Sequence, residues 1–159
     1  MKLRVQELIP QERVLLGLEQ TEKLEALGVV ARFLTAVNGL PDAGAVIDKV
    51  VEREMEMSTG IGYGIAIPHA RLHGITRLYM AAARPLEGIE FDSLDGEPVN
   101  LIFMMASPAN SSTDHIQVLS ALSQIMSYED VRKKLLAAET PEAFAGVLAH
   151  AENKYIETT

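Results

Sequence analysis

Residues 99–106 read Val-Asn-Leu-Ile-Phe-Met-Met-Ala, and they constrain the fold more than any other stretch of the chain. The run is nearly all apolar. A turn signal at Asp95-Gly96 precedes it, and Pro108 with the Asn110-Ser111-Ser112 cluster ends it. A strand that is apolar on both faces has no side to give to water, so the run predicts a central strand covered above and below. The covering layers are legible as helices. Leu24, Leu27, Val30, Ala31, Leu34 and Val37 recur at spacings of three and four, which predicts a helix over 21–37 with Thr21 as N-cap and Asn38-Gly39 as its stop. A second helix fits 42–55, capped by Asp42. A third fits 113–126, with Ile116, Leu119, Leu122, Ile125 and Met126 inward. Ser127 and Asp130 read as a capping box opening a helix to about Ala138, and Thr140-Pro141 opens a last helix to about Ala151. Short strands are expected at Ile65–Ile67, ended by Pro68-His69, and over 77–83, closed by Pro85. Helices outnumber strands and alternate with them through the middle, which predicts an α/β three-layer sandwich.

The length of 159 residues suits one domain, expected to span 1–159, that buries roughly 70% of its unfolded surface without staples. The net charge of −8 argues against a nucleic-acid binder, which needs a basic face, but leaves room for a small basic pocket. With no cysteine, disulfides, thiolate metal sites and cysteine nucleophiles are excluded. No signal-peptide core and no apolar run of about 18 residues is present. A cytoplasmic protein without direct membrane insertion is expected.

Three places in the chain stand out for chemistry. The first is Ser58-Thr59-Gly60-Ile61-Gly62-Tyr63-Gly64, leading to His69. Glycines at 60, 62 and 64 let the backbone approach a ligand and present its N–H groups as an anion nest, although turns use glycine for geometry alone. The second is His115, in the first turn of a predicted helix. Its positive N-terminal field would keep the imidazole neutral and attract a phosphate; the plainer reading is an exposed or capping histidine. The third is Arg53, near a helix C-terminus. It either pairs with Glu52, Glu54 or Glu56, or reaches over the glycine loop, where its fork suits phosphate. Together the three make a plausible phosphate site. A two-histidine metal site lacks an obvious third ligand, so no metal and no cofactor is expected. Ser58, Thr59 and Ser112 lack a nucleophile elbow, and no lysine follows the glycines as a Walker A motif requires. His73 and His150 read as surface residues, and Met104, Met105 and Met126 as core filler.

The run from Ser58 to Ala70, Ser-Thr-Gly-Ile-Gly-Tyr-Gly-Ile-Ala-Ile-Pro-His-Ala, closely resembles the phosphorylation-site signature of enzyme IIA domains of the mannitol/fructose class. These belong to the bacterial phosphoenolpyruvate-dependent phosphotransferase system and include the nitrogen-regulatory IIA proteins. The similarity extends to Arg53-Glu54 upstream and to the His115 helix downstream, and so covers essentially the whole chain. It implies a mixed β-sheet flanked by helices on both sides. It implies that His69 accepts a phosphoryl group on Nε2 from the phosphohistidine of an HPr-like carrier, with His115 beside it and Arg53 holding the group. Arg53, His115, Ser58, Thr59, Gly60, Gly62 and Gly64 are then the expected phosphate contacts. One position departs from the pattern. Six residues before His69 the family commonly has an acid or amide, where this chain has Tyr63, whose hydroxyl is expected to remain a possible donor to phosphate. The implied role is a phosphocarrier, expected as a standalone nitrogen-regulatory-like IIA protein acting on regulatory targets. The alternative is a sugar-transport IIA passing phosphate to a separate IIB component.

Overall fold

The computed structural model describes residues 3–156. In chain order its elements are α1 (Val5–Leu8), a 3-10 turn at Gln11–Arg13, β1 (Val14–Leu18), α2 (Lys23–Val37), α3 (Ala43–Glu56), β2 (Gly60–Gly62), β3 (Ile65–Ala66) and β4 (His69–Leu72). They continue with β5 (Tyr79–Pro85), β6 (Leu101–Pro108), α4 (Thr113–Met126), α5 (Glu129–Ala137) and α6 (Pro141–Tyr155).

The apolar run forms β6, two residues later than expected and buried at every position. Val99 lies outside it and bridges Ile89 instead. On one side β6 pairs antiparallel with β5; on the other it pairs parallel with the stretch 65–72. One register holds along that stretch, with Ile65 opposite Leu101 and His69 opposite Met105. Proline has no N–H for a ladder, so Ile67-Pro68 divides the stretch into β3 and β4. The Pro68 carbonyl still accepts the Met105 N–H at 3.0 Å. β1 adds in parallel to β5 at one edge, and β2 adds antiparallel to β3 at the other. The sheet is mixed, in the order β1-β5-β6-β3-β2, with β4 also beside β6. Among the described residues β4 has a strand on one side only, so the segment that begins with His69 is a half-buried sheet edge.

Strand alternation divides the core. Leu101, Phe103 and Met105 point to a layer of α1, α4, α5 and α6, built on residues such as Leu122, Leu135, Phe144 and Leu148. Ile102, Met104 and Ala106 point the other way, to Leu27, Val30 and Leu34 of α2 and Val46 and Val50 of α3. Each such large side chain contributes roughly 1.5–3 kcal/mol on burial. The result is the expected three-layer sandwich.

The caps differ in part from expectation. Glu22, not Thr21, accepts the Glu25 N–H, so α2 starts at Lys23. Asp42 caps α3 through Ala45 N–H at 3.0 Å, and Thr140 caps α6 through Ala143 N–H at 3.0 Å. The Ser127–Asp130 box does not form. The Ser127 hydroxyl donates back to the Gln124 carbonyl at 2.6 Å, and α5 opens at Glu129 without a side-chain cap. α6 runs on past Ala151 because Glu152 has a task there: its buried carboxylate accepts the N–H groups of Val5 at 2.6 Å and Gln6 at 2.9 Å. That bond pins α1, an element too short to leave a periodic signal.

Candidate active site

Alternation along β4 decides what stands at the sheet edge. His69 and Arg71 share the face of their β6 partners Met105 and Ser107, the face that carries α4. The chain then turns from β6 through 109–112 into α4, which sets His115 in the first turn above Ser107. The two imidazoles meet edge to face, with ring centroids 4.9 Å apart and planes at 79°.

Each ring is held by one nitrogen. His69 Nδ1 lies 3.2 Å from the Ile67 carbonyl. A carbonyl only accepts, so the proton sits on Nδ1 and the lone pair is left on Nε2. His115, almost fully buried, has its Nδ1 2.8 Å from Ser107 Oγ. Burial holds the His69 pKa below its ordinary value, and the charges of Arg53 and Arg71 add to it; the Ile67 carbonyl and Glu54 pull the other way. Burial also lowers His115, to about 4, with His69, Arg71 and Arg53 contributing. Both rings are therefore neutral near pH 7. The helix-terminus field expected to neutralise His115 is not the leading cause; burial is.

Arg53 enters from the last turn of α3 and donates from Nη1 to the Met57 carbonyl at 2.8 Å. Its neighbour Glu54 points inward and holds the turn into β2. Glu54 accepts the Thr59 N–H at 2.9 Å and the Thr59 hydroxyl at 2.6 Å, and pairs with Lys23 at 2.8 Å. Lys23 also donates to the Phe91 carbonyl at 3.1 Å. A buried pair of this kind costs about 3–5 kcal/mol to break from one side. It fixes where α3 ends, and so where Arg53 stands.

The structure thus brings His69, His115 and Arg53 together. It does not bring the expected glycine-loop contacts to them as donors. The Ser58 hydroxyl donates to the Phe91 carbonyl and accepts the Gly60 N–H, the latter at 3.1 Å. Both donors of Thr59 go to Glu54. Gly62 and Gly64 lie further along, where β2 turns into β3. Tyr63 and Gly64 form a two-residue turn with φ of 59° and 79°, the positive pair of a type I′ hairpin. A Cβ on Gly60 would meet the Ser93 side chain and lie 3.1 Å from Ser93 Cα; one on Gly64 would lie 3.1 Å from Asn100 Nδ2. Close packing against the 93–100 segment is a physical reason for glycine at positions 60 and 64.

Tyr63 is corrected too. Roughly 13 Å of extended strand separates Ile65 from His69 at about 3.3 Å per residue, and Tyr63 precedes Ile65. Its N–H donates to Asp95 at 3.0 Å, and the Arg132 guanidinium lies 4.5 Å from its ring centroid. The Tyr63 hydroxyl belongs to the far end of the hairpin, away from the histidines.

The residue that sequence reading missed is Arg71. Its charge bears on both rings, and its Nη1 donates to the Ser111 carbonyl at 2.9 Å. The signal was its spacing of two from His69, which places both on one face of a strand; 70–73 reads as loop after Pro68. Ser107 was missed for a similar reason, lying past the expected strand end. Among the described residues no group of three or more His, Cys, Asp or Glu side chains stands together for a metal ion, and no helix is long and apolar enough to cross a membrane.

Residues 7–151 match the model of the EIIA 2 family of the phosphoenolpyruvate-dependent sugar phosphotransferase system. The chain belongs to this family. It is 47% identical over 108 residues, 68% of this chain and 70% of the relative, to a fructose-specific EIIA component from Haloferax volcanii. A crystal structure of nitrogen regulatory protein IIA-Ntr from Neisseria meningitidis covers 91% of this chain and 98% of its own, with a TM-score of 0.84 and 31% identity. The IIA of the Escherichia coli mannitol system, solved in complex with phosphorylated IIB, shares the fold with a TM-score of 0.74 and 22% identity, covering 87% of this chain and 95% of its own. The chain is a phosphotransferase-system IIA component, a carrier in phosphoryl transfer.

Proposed function

We propose that His69 Nε2 is the phosphoryl acceptor and that its donor is the phosphohistidine of an HPr-like carrier. The carrying observation is the Nδ1 bond to the Ile67 carbonyl, which leaves the Nε2 lone pair of the half-buried His69 free at a sheet edge. The Nε2 pair attacks phosphorus as the donor's P–N bond breaks, and that bonding pair returns to the donor nitrogen. A donor ring that enters protonated leaves as a neutral imidazole. The phosphorylated His69 ring keeps its Nδ1 proton on the Ile67 carbonyl and carries the balancing charge.

The transition state is loose and in line, so the protein's part is positioning and charge stabilisation. Arg53 supplies charge from the α3 end. His115 stays neutral and donates from Nε2 while Nδ1 accepts the Ser107 hydroxyl. Ser58, Thr59 and the three glycines act indirectly, by holding the hairpin beside the edge strand. The net charge of −8 steers a carrier with a basic face.

The phosphoryl group then has two destinations. Near full-length similarity to nitrogen-regulatory IIA supports a regulator whose phosphorylation state changes target binding. The higher identity to a fructose-specific EIIA component favours a second reading, relay to a separate IIB. Incubation of the phosphorylated protein with a fructose-class IIB separates them: loss of the phosphoryl group to IIB marks the relay. The acceptor is tested by intact mass after incubation with phosphoenolpyruvate, enzyme I and an HPr-type carrier. A gain of about 80 Da, absent from His69→Ala, is expected; a labelled variant overturns the assignment.

A further inference from the structure

Arg71 has no role in the reading above, yet it stands where a second cation on the phosphoryl group belongs. We propose that Arg71 contacts the phosphoryl group and gives up the Ser111 carbonyl to do so, so that phosphorylation of His69 releases the segment Asn110–Ser112 in front of α4. The inference rests on His69 being the acceptor.

Arg71 and His69 share one face of an edge strand, two residues apart. Opposite Arg71 is Ser107, whose hydroxyl holds His115, so the guanidinium lies beside both rings. In the unphosphorylated protein its hydrogen bond goes to Ser111, a neutral backbone carbonyl. A guanidinium has five N–H donors in a planar fork that matches two oxygens of a dianion. Charge-assisted bonds of that kind are roughly twice as strong as bonds between neutral groups. Once a phosphoryl group is on His69, the carbonyl is the weaker partner and loses the exchange.

The consequence is confined by the surrounding bonds. The Ala109 N–H donates to the Leu72 carbonyl at 2.9 Å and stays tied to β4, while the Ser112 carbonyl accepts the Ile116 N–H within α4 at 2.9 Å. Between those anchors the backbone makes one further bond, a long one from the Ser111 N–H to the Pro108 carbonyl at 3.4 Å, so Asn110 and Ser111 are the residues with most room to move once Arg71 lets go. Asn110, Ser111 and Ser112 are all exposed, and Ile116, also exposed, lies next to them. A partner that docks on this corner meets a different loop in each phosphorylation state.

Backbone amide shifts test this on the full chain, unphosphorylated and after phosphorylation through enzyme I and carrier. In the wild type, the amides of 110–112 move on phosphorylation. In Arg71→Gln they already lie near the phosphorylated wild-type positions before phosphorylation, and they move little afterwards. A merely structural arginine gives no such match. The transfer equilibrium from a phosphorylated carrier shifts against Arg71→Gln by roughly tenfold, the scale of one charge-assisted bond. Should that variant unfold, Arg71→Lys gives the same two readouts at smaller size, because an ammonium lacks the fork. Phosphorylated wild type with unmoved 110–112 amides, or an Arg71→Gln protein that matches wild type in both readouts, overturns the inference and leaves His69 as acceptor. Wild type that takes up no phosphoryl group overturns both.

Discussion

The stretch 58–70 has two ends, and they differ in what their polar groups do. At the hairpin end the donors are satisfied within the protein: Thr59 by Glu54, Ser58 by the Phe91 carbonyl, Gly60 N–H by Ser58 and Tyr63 N–H by Asp95. At the His69 end one imidazole nitrogen is anchored and the other carries a free lone pair. The family signature is longest and most recognisable at the end that builds scaffold, while the reactive end consists of a few residues supplied by separate elements. A satisfied donor shapes; an unsatisfied lone pair reacts.

That contrast is open to breaking. Its largest consequence is the total loss of phosphoryl acceptance expected for His69→Ala, with the fold intact. Gly60→Ala should show the opposite pattern. Its new methyl meets Ser93, so stability falls by about 1–3 kcal/mol, which lowers Tm by several degrees. The folded fraction should still take up the phosphoryl group. A Gly60→Ala protein of normal Tm that cannot be phosphorylated would return the glycines to the chemistry.

The effect of pH comes next. An unfolded histidine takes up its proton near pH 6.5, whereas folded His115 waits until about 4. Between those values the unfolded chain binds more protons, so stability is full above pH 6.5 and falls as pH drops. The loss from His115 is about 2 kcal/mol at pH 5, and His69, shifted the same way, adds to it. Denaturant titrations at pH 7 and pH 5 should show a smaller difference for His115→Gln than for wild type. Equal differences would mean that His115 is not held neutral by the fold.

The smallest effect belongs to Tyr63→Asn. It removes a stacked Arg132 contact of about 0.5–1 kcal/mol but suits the positive φ of 59° better, so stability should change by less than about 1 kcal/mol. Phosphorylation rates should match wild type. A large change in rate would place the hairpin tip in the site after all.

The sequence shows the sandwich clearly because β6 is apolar on both faces and the long helices keep their period. It shows β4 poorly for a physical reason. In His69-Ala70-Arg71-Leu72 one face is the buried Ala70 and the half-buried Leu72, while the other carries His69 and Arg71, polar groups kept for chemistry. A short strand with one functional face and only two apolar residues on the other loses the apolar signal that identifies strands. Arg71 disappeared with it. α1 and β1 are held by distant partners, Glu152 for α1 and β5 for β1, which local periodicity does not report. Tyr63 misled for a related reason. Six residues is close in sequence, but in extended chain it spans the height of the sheet.

The central claim is that Nε2 of His69 takes the phosphoryl group because Nδ1 is held by the Ile67 carbonyl. Nitrogen–phosphorus coupling in the phosphorylated protein, labelled with 15N on histidine, reads the bonded nitrogen directly. Coupling of phosphorus to His69 Nε2 is the predicted result. Coupling to Nδ1, or to any nitrogen of His115, would contradict the account.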